Sequence, residues 1–241
     1  MSFAKSLDRL HAQARQNKWL WYFAIFIRII LAYGFIFPGM IKILSERFTS
    51  LPNYHPMGAY LEALHHTGYY YTFIGIAQVL AGILLLIPRT ALMGALLYLP
   101  IILNITILSL AVRFEGSLIT SPLMTLAVLY LLGWYYHRWK YILPFNSNSS
   151  DLQVPTFKEL SNKFPFRFFL GAFLVVVIIV SSLIFGFKIM PRNSLKDCMS
   201  QCEDNVDPAA CQAFCEGIHL KEKRLDESLD AYHKAVWKNK E

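Results

Sequence analysis

Five long apolar stretches, at about 20–44, 71–88, 91–112, 121–136 and 166–190, decide most of what this chain can become. A helix needs about 20 mostly apolar residues to cross the hydrocarbon core of a bilayer, and the five stretches reach or approach that length. The fourth is short and leans on Trp134, Tyr135 and Tyr136 as an interfacial belt. Composition agrees. Of the 241 residues 55% are apolar and 16% charged, against about a quarter charged in soluble domains. The expected fold class is therefore all-α: a polytopic membrane protein with a four-helix transmembrane bundle, a fifth transmembrane helix and an extracytoplasmic, disulfide-stapled helical hairpin. The bilayer is the first partner this implies. The net charge of +7 comes from lysines and arginines placed around the spans. No aromatic-basic stripe accompanies them, so nucleic acid is not an expected partner.

Charge placement predicts an orientation. With the N-terminus inside, the inner segments hold Lys5, Arg9, Arg15, Lys18, Arg89, Arg138, Lys140, Lys158, Lys163 and Arg167. The outer loops hold only Lys42, Arg47 and Arg113. That asymmetry obeys the positive-inside rule, and five crossings then put residues 191–241 outside. Residues 1–18 read as a basic amphipathic segment on the cytoplasmic surface, with Phe3, Leu7 and Leu10 on one side. They do not read as a signal peptide, because the apolar run that follows is far longer than an h-region. The organisation expected is 1–18 amphipathic segment, 19–145 four-helix unit, 146–165 cytoplasmic linker, 166–190 fifth span and 191–241 periplasmic tail. In a bacterium this places the protein in the inner membrane. The loop at 46–69 contains Met57–His66, read as an interfacial or re-entrant helix.

The tail carries all four cysteines, spaced C-x3-C-x8-C-x3-C: Cys198, Cys202, Cys211 and Cys215. Cysteines four apart share one helix face. Asp207 as N-cap and Pro208 at the first helical position open a second helix after the turn. Two facing helices would then be joined by an outer bridge, Cys198–Cys215, and an inner one, Cys202–Cys211. Such bridges last in an oxidising compartment, which agrees with the orientation read from charge. A catalytic dithiol would favour C-x2-C at a helix N-terminus, and C-x3-C is a poor zinc knuckle; no metal site is expected. In spacing alone the pairs look like the helical hairpins of small mitochondrial intermembrane-space proteins.

Four polar groups sit in or at the ends of spans: Arg28, Lys42, Gln78 and Asn104. Ionisable and amide groups in a membrane default to a functional hypothesis, here a polar cluster inside the four-helix unit. The competing expectations are that Arg28 snorkels to the surface and that Gln78 and Asn104 bond neighbouring helices. His55, His65 and His66 fall in the outer loop, and no span carries an internal histidine, which argues against a haem. No P-loop, dinucleotide fingerprint, H-E-x-x-H or nucleophile elbow is present, so no catalytic residue is assigned.

Arg28 followed by Gly34-Phe35-Ile36-Phe37-Pro38-Gly39-Met40-Ile41-Lys42, and Gly75 to Ala91 with its Gln78, Gly82 and Pro88-Arg89-Thr90 turn, resemble the DoxX family of small four-helix membrane proteins. The resemblance covers about residues 23–143. Gln78 stands where the family usually shows a glutamate, and span five and the tail lie outside the pattern. The resemblance implies a four-helix membrane fold. Some family members are linked to quinone-coupled oxidation of sulfur compounds and to membrane redox complexes, so a quinone is the one cofactor this route would bring. The function expected is a non-catalytic accessory or scaffold subunit of a larger bacterial envelope complex, docking on other membrane or periplasmic subunits through span five and the tail. The alternatives are a quinone-linked redox component and a small-solute carrier.

Overall fold

A computed structural model describes residues 3–140 and 160–238 of the chain. The helices run α1 Phe3–Arg15, α2 Lys18–Ile43, α3 Pro56–His65, α4 Tyr69–Leu86, α5 Ala91–Ala111, α6 Glu115–Leu118, α7 Thr120–Trp134, α8 Tyr136–Trp139, α9 Phe166–Gly186, α10 Leu195–Ser200, α11 Pro208–His219 and α12 Leu225–Lys238. Among the described residues the one extended pairing is a bridge of Asn17 with Ser161. The protein is all-α. Helices α2, α4, α5, α6 with α7 (Glu115–Trp134), and α9 are each long and apolar enough to cross a membrane. Of the expected linker, 146–159 lies outside the described residues, as do 141–145 of the expected four-helix unit.

Two of the expected span ends move. The fourth long helix stops at Trp134, where Tyr135 leaves the helical region (φ −95°, ψ 11°) before the short α8. The fifth stops at Gly186 rather than 190. The apolar residues that follow serve another purpose: Ile189 is fully buried in the core of the cysteine tail, and the Met190 N–H donates to Gln201 Oε1 at 3.0 Å.

The chain packs as two compact units, and every long helix contributes residues to both. Unit 1 is Met1–Phe37, Ala77–Ile101 and Leu123–Val177; unit 2 is Pro38–Ile76, Ile102–Pro122 and Ile178–Glu241.

In unit 1, Asn17 opens α2: its Oδ1 accepts the Trp19 N–H at 2.9 Å and its amide donates to Lys163 O at 2.6 Å. The turn Pro88-Arg89-Thr90 makes α4 and α5 antiparallel neighbours, and Thr90 Oγ1 donates to Leu84 O at 3.0 Å. The two helices touch where a Cβ on Gly94 would meet Leu85 N at 2.7 Å, and α4 meets α2 where a Cβ on Gly82 would lie 2.6 Å from Ile36. Small residues let backbones approach this closely in lipid. Phe35 and Tyr98 stack face to face in the core, and the Tyr98 hydroxyl donates to Leu31 O at 3.2 Å.

In unit 2, Gly75 repeats the contact one heptad earlier; a Cβ there would stand 2.7 Å from Gly39 O. Gly68, at φ +61°, makes the left-handed turn into α4 that a β-carbon would strain. The tail has its own core, built from Ile189, Phe214, Ile218, Tyr232 and the four cysteines.

Candidate functional site

Of the four polar groups of the long helices, Arg28 and Gln78 lie in unit 1, and Lys42 and Asn104 in unit 2. Arg28 is buried, and its guanidinium donates to Leu85 O at 2.6 Å and Leu86 O at 2.5 Å. Those are the last carbonyls of α4, which have no partner within their own helix, and a cation there also opposes the helix dipole. Arg28 is thus a cap for a helix end and does not snorkel. Gln78 lies seven residues before Leu85, about 10 Å along the helix, out of reach of that guanidinium. It is 2% exposed, and its Oε1 has no hydrogen-bond partner among the described residues.

In unit 2, Lys42 is buried. Its Nζ donates to Pro38 O at 3.2 Å, lies 4.4 Å from the centre of the Phe48 ring and 5.9 Å from that of Tyr71. The ammonium is held by ring faces and a carbonyl. Asn104, by contrast, is exposed on α5. Each of Arg28, Lys42, Gln78 and Asn104 thus has its own surroundings within its unit: Arg28 caps a helix, Lys42 sits among aromatic rings, and Asn104 is exposed. Of the four, Gln78 is the one with a buried polar atom, its Oε1, left without a partner among the described residues.

The cysteine tail follows the expected pattern. Cys198 and Cys215 stand with Cα atoms 5.7 Å apart, Cys202 and Cys211 5.4 Å apart, each pair at disulfide distance. Asp207 caps α11 by accepting the Ala210 N–H at 3.0 Å, with Pro208 in the first turn. Ser194 caps α10 by accepting the Asp197 N–H at 3.2 Å. The sulfurs of Cys202, Cys211 and Cys215 fall within 4.8 Å of one another, a spacing a metal could use only if the pairs were reduced, since a disulfide sulfur is not a thiolate. After α11 ends at His219, the separate helix α12 packs Leu225, Leu229 and Val236 on the tail core.

Sequence reasoning missed how the outer loop meets the tail within unit 2. His55 is the N-cap of α3, its Nδ1 accepting the Met57 N–H at 3.2 Å. It is 1% exposed and lies edge-on to Phe114, with ring centres 6.1 Å apart. Burial first, and then the neighbouring His219, push its pKa down to about 4, against a hydrogen bond to the Arg192 backbone carbonyl that raises it. His219 bonds Pro191 O at 2.7 Å and stands edge-on to Tyr54. Arg192 pairs with Glu115 at 2.6 Å, and Arg113 donates to Ile189 O at 2.7 Å. The loop, the α6 turn and the tail are thus joined by polar contacts at hydrogen-bond distance. No periodic pattern announces such a junction; the His-Pro step at 55–56 was its only local sign. His65 and His66 take separate partners, Ser45 O and Glu62.

Over 110 residues the chain is 32% identical to the uncharacterized protein YwoB of Bacillus subtilis (strain 168), an alignment that covers 43% of this chain and 71% of YwoB. No family model and no solved structure matches the chain.

Proposed function

We propose that this chain, which belongs to the same family as Bacillus subtilis YwoB, is a non-catalytic accessory or scaffold subunit of a bacterial envelope membrane complex. It sits in the inner membrane with its N-terminus in the cytoplasm and its cysteine tail in the periplasm, and it docks through α9 and that tail. The observation that carries the reading is unsatisfied apolar surface on both. Helix α9 has no buried residue along its 21 positions, whereas the other long helices bury 28–33% of an 18-residue window. Lipid could cover that helix, but it cannot cover the tail, where Trp237, Val206 and Leu220 are 72%, 71% and 62% exposed. Large apolar groups left outside on a charged, bridged domain are what a docking face requires. At the end of α9, Ser182 and Gly186 have the small-xxx-small spacing used by packed membrane helices.

The test is purification in mild detergent. A partner subunit at fixed stoichiometry is expected with the native chain, and it is lost from a Trp237→Ser/Val206→Ser variant whose monomer still elutes as a folded species. Recovery of the native chain as a lone monomer contradicts the reading. A second reading, a quinone-linked redox component of DoxX type, rests on the unused Gln78 Oε1, a buried acceptor of the kind a quinol hydroxyl would bond. Organic extraction of a quinone from the native protein, but not from Gln78→Leu, would favour it.

A further inference from the structure

We propose that unit 1 carries a binding site for an anionic glycerophospholipid: one acyl chain lies in a groove beside α1, and the phosphate lies against Arg15 and Arg138. The groove has a volume of about 430 Å³, within the range of real ligand sites. Its wall on one side is the face of α1 made by Leu7, Leu10, His11 and Ala14, positions spaced i, i+3, i+4, i+7. On the other side Tyr130, Gly133 and Trp134 of α7 form a matching stripe. Gly133 keeps the groove open: a Cβ built there meets nothing within 4 Å. Leu10 is 63% exposed on this face, so α1 presents more apolar surface than the protein itself covers.

The occupant follows from the rim. The Arg15 guanidinium lies 4.5 Å from the centre of the Trp134 ring, and its Nε is buried with no hydrogen-bond partner among the described residues. Arg138 lies 5.3 Å from the centre of Tyr135 and donates to Arg89 O at 3.2 Å. Desolvation lowers the Arg15 pKa, Tyr135 works against it, and the charge of Arg138 lowers it further, so the two guanidiniums act on each other as like charges. Among the described residues the carboxylate at the rim is Asp8, 4.0 Å from Lys140 Nζ. His11 and His137 are 3.4 Å apart, and burial lowers both pKa values, His137 to about 4; both imidazoles are therefore neutral at pH 7 and add no charge. Among the described residues the rim thus sets the guanidiniums of Arg15 and Arg138 and the Lys140 ammonium against the Asp8 carboxylate. Tyrosine and tryptophan at this level are the side chains that sit among lipid headgroups. An apolar slot closed by an excess of guanidinium at headgroup height fits a molecule with a chain at one end and a phosphate at the other.

The full chain, reconstituted in vesicles of equimolar phosphatidylglycerol and phosphatidylcholine, is released into the gas phase and its retained lipid weighed by native mass spectrometry. Retention of phosphatidylglycerol over phosphatidylcholine by about tenfold is expected, since each cation near the surface contributes to anionic-lipid attraction. An Arg15→Gln/Arg138→Gln variant loses the preference. Gly133→Leu, which fills the groove, loses bound lipid of both kinds. Arg9→Gln, removing an exposed cation at a position turned away from the groove face, keeps the preference. Equal retention of the two lipids by the native chain overturns the proposal. So does an Arg9→Gln loss as large as that of the double variant, or undiminished binding by Gly133→Leu.

Discussion

Arg28 shows how a charge is accommodated when no carboxylate is near. Its guanidinium replaces the missing next turn of α4, giving two terminal carbonyls the donors they lack. Arg28→Gln removes the charge and one or both bonds. It should cost about 2 kcal/mol, the range for hydrogen bonds to charged groups, read as a lower thermal midpoint in detergent; an unchanged midpoint would mean the capping bonds carry no stability. His55 gives a pH dependence of definite sign. The folded chain holds it neutral down to about pH 4, while the unfolded chain protonates near pH 6.5. The unfolded state therefore binds more protons between those values, and stability falls as pH drops from 6.5 towards 4. His11 and His137 act in the same direction. His55→Asn keeps a cap acceptor for Met57 but removes the titration. It should flatten the part of the pH profile read by protease cleavage in the 46–66 loop; an identical acid sensitivity in the variant would refute the assignment.

At the scale of elements, what the sequence made legible was local. The Asp207 cap, the Pro208 start, the α4–α5 turn and the cysteine spacing are each written within a few residues, and each holds in the structure. Partners supplied by distant backbone were not legible. Arg28 finds carbonyls 57 residues away and His11 finds His137 126 residues away, and neither separation leaves a periodic trace. The end of α9 failed for a related reason: Phe187 to Met190 continue the apolar run, but Ile189 belongs to the tail core. The glycines were legible as a pattern, and the structure gives them a task. Gly82→Leu would drive a side chain into Ile36 and the Ala32 carbonyl. Overpacking of this kind costs about 1–3 kcal/mol, so the variant should melt lower than Gly133→Leu, which has open space to fill. Equal midpoints for the two would contradict the packing of α4 on α2.

At the scale of the whole molecule, five long apolar helices and a cysteine tail with its own core are parts with different solvents. In the topology we propose, five crossings separate the two ends of the chain and leave the paired cysteines on the oxidising side, where bridges last. The docking role rests on that separation, because the exposed Trp237, Val206 and Leu220 meet periplasmic partners only from there. The most direct measurement is a pair of fusions after Glu241 in a bacterial host: alkaline phosphatase, active only outside the cytoplasm, and a fluorescent protein that matures only inside it. The account predicts an active phosphatase and a dark fluorescent fusion. A bright fluorescent fusion with a silent phosphatase would place the cysteines in a reducing compartment and contradict both the stapled tail and the docking built on it.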